Sequence, residues 1–228
     1  MSRPNFHRYA IFHVPTGALG DFGAAWLGWD CRTGKPRAGP PSQPWTHSAQ
    51  RYGFHATLKA PFRLAEARSP SQLDAAARAF AQRSAPVCLG PLKQTWLGRF
   101  LALVPSLPCQ GVSDLAARCV TDFDDFRAPQ KPQDIAKYAG RSLSADLRDN
   151  LTRWGYPYIF NAFRFHMTLT DRVPKSDRPK IEAALCAPEF LSRPYVVDHI
   201  SLVGEDIGGM FHEITTYPLA AAPDGSAR

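Results

Sequence analysis

The pentapeptide Phe54-His55-Ala56-Thr57-Leu58 recurs as Phe165-His166-Met167-Thr168-Leu169, so the pattern F-H-x-T-L stands once in each half of the chain. Histidine titrates near neutrality, so of two imidazoles one can accept a proton while the other donates one. Threonine hydroxyls can donate to the non-bridging oxygens of a phosphoryl group, which gain charge in the transition state. Two histidine–hydroxyl pairs facing each other across a cleft suit a phosphodiester. His55 and His166 are the candidate acid–base pair, and Thr57 and Thr168 are the candidate phosphate ligands.

Both copies alternate as strands do, with successive side chains on opposite faces. In the first, Phe54, Ala56, Leu58 and Ala60 form an apolar face, and Arg51, Gly53, His55, Thr57 and Lys59 lie opposite. In the second, Phe165, Met167 and Leu169 are apolar, and Arg164, His166, Thr168 and Thr170 lie opposite. Arg and Lys on those faces would neutralise a phosphate, Arg in bidentate fashion. Tyr9, Arg51, Tyr52, Lys59, Arg164 and Thr170 are therefore candidate substrate-binding residues, against the alternative of a solvated or core-edge role. Tyr158 is a weaker candidate. His199-Ile200-Ser201-Leu202 matches a looser H-x-S pattern without the preceding Phe and reads as a structural or rim strand. His7, His13, His47 and His212 have no repeat partner.

The elements that must position these residues are legible in outline. Strands are expected at 8–14, 52–60, 163–170, 194–204 and 211–219, and a hairpin over 92–104 turning near Gly98. Helices are expected at 17–29, 70–84, 111–126, 142–153 and 175–186. The segments 33–50 and 128–141 read as loops that carry specificity, and 220–228 as a disordered tail. The order implies an α+β fold with mostly antiparallel pairing rather than a βαβ winding. No Gly-rich phosphate loop occurs.

The chain has 228 residues, enough for one large domain or two small lobes. Its net charge of +7 favours anionic partners, but the cations are scattered, which suits a small phosphorylated substrate better than a nucleic-acid surface. Five cysteines without a C-x-x-C pair argue against a disulfide framework and a zinc ribbon. There is no apolar run of membrane-spanning length and no secretory apolar core at the start, so a cytoplasmic protein without a membrane partner is expected. Nothing in the sequence speaks to the oligomeric state.

The longer strings are more specific. Arg51-Tyr52-Gly53-Phe54-His55-Ala56-Thr57-Leu58-Lys59-Ala60-Pro61-Phe62, the string Trp154 to Tyr158 with Phe163 to Thr170, and the opening Arg8-Tyr9-Ala10-Ile11 resemble the two-histidine (2H) phosphoesterase superfamily. The likeness is to its subgroup associated with bacterial phosphonate-metabolism operons, and runs from about residue 8 to residue 219. One departure is Asp171, where that pattern leads us to expect glycine.

The resemblance implies a single bilobal 2H-phosphoesterase-like domain over 1–228, with two pseudo-symmetric antiparallel sheets, outer helices and a central cleft. It implies hydrolysis or ring opening of a cyclic phosphodiester without metal or cofactor. The substrate would be a cyclic sugar phosphate or a 2′,3′-cyclic nucleotide, with RNA ends as a further partner and a place in phosphonate utilisation. Which histidine is acid and which is base stays open. Two rivals remain: a non-catalytic nucleotide- or RNA-binding protein on the same fold, and a metal-dependent phosphoesterase. Against the second, neither motif contains an acidic residue or an H-E-x-x-H run.

Overall fold

A computed structural model describes residues 6–39, 44–185 and 188–220 of the protein. Residues 221–228 of the expected tail lie outside that range, while the Ala220 amide donates to the Ala81 carbonyl. Among the described residues, no helix is long and apolar enough to cross a membrane.

In chain order the elements are β1 (Arg8–His13), α1 (Gly17–Leu27), β2 (Trp29–Asp30), β3 (Lys35–Pro36), α2 (His47–Gln50), β4 (Ala56–Phe62), α3 (Pro70–Gln82), β5 (Val87–Gly90) and β6 (Leu92–Leu97). Then come β7 (Phe100–Pro105), α4 (Gln110–Asp122), α5 (Pro132–Ala136), α6 (Ala145–Trp154), β8 (Met167–Thr168), α7 (Arg178–Ala184), β9 (Tyr195–Val197), β10 (His199–Glu205) and β11 (Phe211–Pro218). The fold is α+β with antiparallel sheets, as the element order implied. Two sets of strands, β11-β10-β1-β4 and β8-β7-β6, each drawn from both halves of the chain, are joined edge to edge into one seven-stranded sheet, and β2-β3 and β5-β9 form two small ribbons.

The helices form where local chemistry and burial agree. Ser69 caps α3: its hydroxyl accepts from the Gln72 amide while the Gln72 side chain accepts from the Ser69 amide, and Pro70 opens the first turn. Leu73, Ala77, Phe80 and Ala81 of α3 and Val112, Leu115, Ala116, Cys119 and Val120 of α4 are buried, nearly all of them in the main core. Gly155, in the left-handed conformation, ends α6.

Two strand boundaries differ from the sequence expectation, for one reason. The first motif strand starts at Ala56 rather than 52, and the second holds only Met167 and Thr168 rather than 163–170. The carbonyls of Gly53 and Arg164 accept hydrogen bonds from the rings of His55 and His166, two residues on, at 2.9 and 2.8 Å. Local side-chain bonds of this kind compete with a ladder. At its other end β4 runs past the expected limit at residue 60, through Pro61 to Phe62. The register against β1 slips twice, from Phe12↔Thr57 to Ile11↔Lys59 to Tyr9↔Phe62, and proline is tolerated at such bulges. The expected strand over 194–204 is broken between β9 and β10, and β9 turns to pair with β5.

Candidate active site

The two motifs meet at one point. Ala56 of β4 and Met167 of β8 are antiparallel register partners, both fully buried. Residues directly opposed on antiparallel strands share a face, and their neighbours share the other. That register sets His55 across from Thr168, and Thr57 across from His166, on the face away from the Ala56–Met167 pair. Two adjoining cavities agree with it. One, of about 650 Å³, is lined by His55 and Thr168; the other, of about 660 Å³, is lined by Thr57 and His166. Phe100, Arg141 and Arg172 line both.

Each imidazole is held the same way. A carbonyl only accepts, so the bonds to Gly53 and Arg164 require Nδ1–H on both rings and leave Nε2 as the basic nitrogen. The Nε2 of His55 lies 3.1 Å from the Thr57 hydroxyl, which donates to it. Burial pushes the His55 pKa down to about 4, opposed by the bond to the Gly53 carbonyl and assisted by nearby His166. Burial also lowers that of His166, again opposed by its carbonyl bond. Both rings are therefore neutral at pH 7 in the free protein, with basic nitrogens directed by fixed tautomers.

The surroundings fix these rings. Phe12 of β1 stacks on His55 with centroids 3.8 Å apart, and Phe100 of β7 lies 5.6 Å from His166. Gly53 has φ +70°, and a Cβ there would fall 2.7 Å from the Cys31 sulfur, so the carbonyl that orients His55 comes from a residue that must be glycine. Helix α1 touches both motifs. A Cβ on Gly23 would sit 2.0 Å from the Phe54 ring, and the Trp26 indole donates to the Leu169 carbonyl at 2.7 Å. Asp171, the departure from the family-like string, has a definite role. Its carboxylate accepts from the amides of Ser48 and Ala49, both at 2.8 Å, and so caps α2 in the segment leading to the first motif.

The other expected site residues divide. Arg164 is exposed, and it lines the His166 cavity. Tyr52 lines the His55 cavity, stacked at 4.9 Å on Phe211 and 6.0 Å from His55. Arg51 lies in a neighbouring cavity with Tyr52, its guanidinium donating to the Gly209 carbonyl and paired with Glu205 at 3.5 Å. Tyr9 is buried in the main core, edge-on to Phe6 at 6.2 Å. Thr170 borders the His55 cavity, but its hydroxyl accepts from the Leu101 amide at 2.9 Å.

Lys59 leaves the histidine face. The bulge between Thr57 and Lys59 adds a residue to β4, so the simple alternation read from the sequence fails there. The buried ammonium donates to the Val120 carbonyl at 2.8 Å and pairs with Asp124 at 3.2 Å. Burial lowers its pKa to about 8, against the pull of Asp124.

Phe12, Phe100, Arg141 and Arg172 carry no motif signal in the sequence. Arg172 lies three residues past Leu169, the end of the second motif, and Arg141 closes the loop 128–141, but neither belongs to the repeat. Among the described residues, the His, Cys, Asp and Glu side chains that approach closely enough to hold a metal are His13, Asp198 and His199, and this group contains neither motif histidine. Its ring nitrogens are engaged already. His13 bonds the His199 carbonyl and the Tyr195 hydroxyl, and His199 bonds the Val14 carbonyl and Asp198.

Residues 57–212 match the family described as "Protein of unknown function (DUF1045)"; the match starts two residues after His55. Two curated relatives carry the name ribose 1,5-bisphosphate phosphokinase PhnN. The one from Janthinobacterium sp. (strain Marseille) is 35% identical over 92% of this chain and 50% of its own length. The one from Laribacter hongkongensis (strain HLHK9) is 36% identical over 75% of this chain and 42% of its own. The chain thus spans half or less of these relatives. Solved structures with similarity include a phosphoesterase (TM-score 0.46, 16% identity, covering 94% of this chain and 99% of the other). Escherichia coli LigT complexed with 3′-AMP has TM-score 0.46 and 16% identity, covering 95% of this chain and 100% of the other. The protein TT0787 of Thermus thermophilus has TM-score 0.49 and 13% identity, covering 95% and 100%.

Proposed function

The chain belongs to the DUF1045 family, and from that premise we propose that it is a phosphoric diester hydrolase of the two-histidine kind, opening a cyclic phosphodiester without a metal. The observation that carries this reading is the matched pair of imidazoles. His55 and His166 each have Nδ1–H on the carbonyl two residues earlier, and each stands across a strand pair from a threonine of the other motif. In this reading one Nε2 takes the proton of the attacking water or hydroxyl, and the other ring, protonated, delivers a proton to the leaving oxygen. Thr57, its hydroxyl turned from the His55 Nε2 to the substrate, and Thr168 donate to the non-bridging oxygens, and Arg164 supplies charge at the rim. The substrate is a small cyclic sugar phosphate or a 2′,3′-cyclic nucleotide.

The relatives' shared name refers to a phosphorylated pentose, which agrees with a cyclic sugar phosphate; the role in phosphonate utilisation rests on the resemblance of the motif strings. The reading is tested with chelator-treated protein and a 2′,3′-cyclic nucleotide. Ring opening that survives chelation, and that His55→Ala abolishes while ligand binding persists, is the expected result. Binding without turnover in the wild type would make this a nucleotide-binding protein instead. Loss of turnover on chelation, restored by zinc, would point to a metal enzyme.

A further inference from the structure

We propose that Arg141 and Arg172 form a second anion subsite at the mouth of the histidine cleft, which selects cyclic phosphodiesters that already carry a phosphomonoester. This rests on the phosphodiesterase reading above and deepens it.

The two arginines are placed where a second anion would lie. With Phe100 they line both cavities, the one holding His55 and Thr168 and the one holding Thr57 and His166. They therefore lie where the two cavities adjoin, exposed beside the reaction centre, so that a ligand seated on the histidine–threonine quartet would extend past them. Arg141 comes from the segment after α5, and Arg172 from the segment after β8. The subsite would thus join parts of the chain that are distant in sequence.

Their charge is also uncommitted. Among the described residues, neither guanidinium has an ion-pair or hydrogen-bond partner; the Arg141 side chain rests over the Tyr138 ring at 5.0 Å. The adjoining cavity that contains Tyr52 is built differently. Its cations are each matched by an acid: Arg8 and Arg51 by Glu205, Arg63 and Lys137 by Asp134, and Arg127 by Asp124. Asp171, the acid next in sequence to Arg172, is committed to the amides of Ser48 and Ala49 and leaves that arginine unneutralised.

The number of cations exceeds what a cyclic phosphate needs. A cyclic phosphodiester is a monoanion, and Arg164 at the His166 rim already offers it a cation. Two more arginines, each a planar fork suited to phosphate oxygens, match the charge of a phosphomonoester, about −1.5 to −2 at pH 7.

The test compares adenosine 2′,3′-cyclic phosphate with and without a 5′-phosphate, as the ratio of their kcat/KM values. The wild type is expected to favour the 5′-phosphorylated substrate by at least about tenfold, as two charge-assisted contacts would give. In the double variant Arg141→Gln/Arg172→Gln the ratio falls towards one, in Arg141→Lys/Arg172→Lys part of it returns, and added salt compresses it in the wild type. A ratio near one in the wild type, or a ratio unchanged by the Arg141→Gln/Arg172→Gln pair, overturns the subsite. The latter result would mean that these arginines serve the cyclic phosphate or neither group.

Calorimetric titration with adenosine 2′-phosphate and adenosine 2′,5′-bisphosphate reads the same preference without turnover. If neither cyclic substrate reacts, the phosphodiesterase reading fails. The subsite is then judged by whether the bisphosphate binds more tightly and loses that advantage in Arg141→Gln/Arg172→Gln.

Discussion

Ala56 and Met167 face each other as the register pair that joins the two halves of the sheet, and both are buried. They present the smallest and one of the most adaptable apolar side chains to the inner face. The histidines and threonines that flank them are thereby directed to the other face as a crossed quartet. An antiparallel pair has a local twofold, so each copy of F-H-x-T-L supplies half of the site. The repeat is a consequence of that symmetry.

The Gly53 carbonyl orients His55, and Gly53→Ala attacks that geometry directly. The residue has φ +70°, and its new Cβ would meet the Cys31 sulfur at 2.7 Å. A loss of about 1–3 kcal/mol in urea unfolding is expected from the backbone strain. A fall in kcat beyond that explained by unfolded protein should accompany it. Unchanged kcat would mean that the Gly53 bond is dispensable.

Asp171 ties the segment after the second motif to α2 ahead of the first. Asp171→Ala removes both acceptors and should cost about 1 kcal/mol, the usual value of an N-cap, with Asp171→Asn retaining part of it. Thermal melts of the three proteins check the order wild type, Asp171→Asn, Asp171→Ala.

Trp26→Phe leaves the Leu169 carbonyl without its indole donor while conserving most of the buried ring. A destabilisation of about 1–3 kcal/mol is expected, the cost of an unmet buried acceptor. A stability equal to wild type would show that the carbonyl finds another donor.

The pH dependence follows from the two depressed histidines. One must be neutral and the other protonated for acid–base chemistry. The window in which kcat/KM is high is therefore set by the two rings, His55 pushed down to about 4 and His166 below its ordinary 6.5. The optimum should fall below pH 6.5 whichever ring is the base. An optimum at pH 8 would contradict this. Stability follows the same sign. His13, fully buried, is pushed down to about 3, chiefly by burial and then by the charge of His199. Between about pH 6.5 and 3 the unfolded chain binds a proton that the folded chain refuses, so stability falls as pH drops through that window. Acid melts read this directly.

The strand–helix order, the hairpin at Gly98 and the helices over 70–82 and 110–122 are legible in the sequence because their periodicity coincides with burial. The quartet is legible because its two halves are written twice. Lys59 departs from its expected place because a bulge is invisible to an alternation rule: one extra residue between Thr57 and Lys59 turns the lysine away from the histidine face. Tyr9 sits in the core rather than the cleft because burial depends on neighbours that only the sheet order supplies. Arg141 and Arg172 escape a motif search, since each reaches the cleft from its own loop. Asp171 breaks a family pattern in the sequence, and its two amide partners in the structure give it a purpose.

The central claim is that His55 and His166 act as a metal-independent pair. The most direct measurement is phosphorus NMR of EDTA-treated wild type, His55→Ala and His166→Ala with adenosine 2′,3′-cyclic phosphate. The wild type should convert the cyclic signal to a phosphomonoester, and each variant should do so at least about 10²–10⁴-fold more slowly, the contribution typical of a general acid or base. Conversion by either variant at the wild-type rate would contradict the claim.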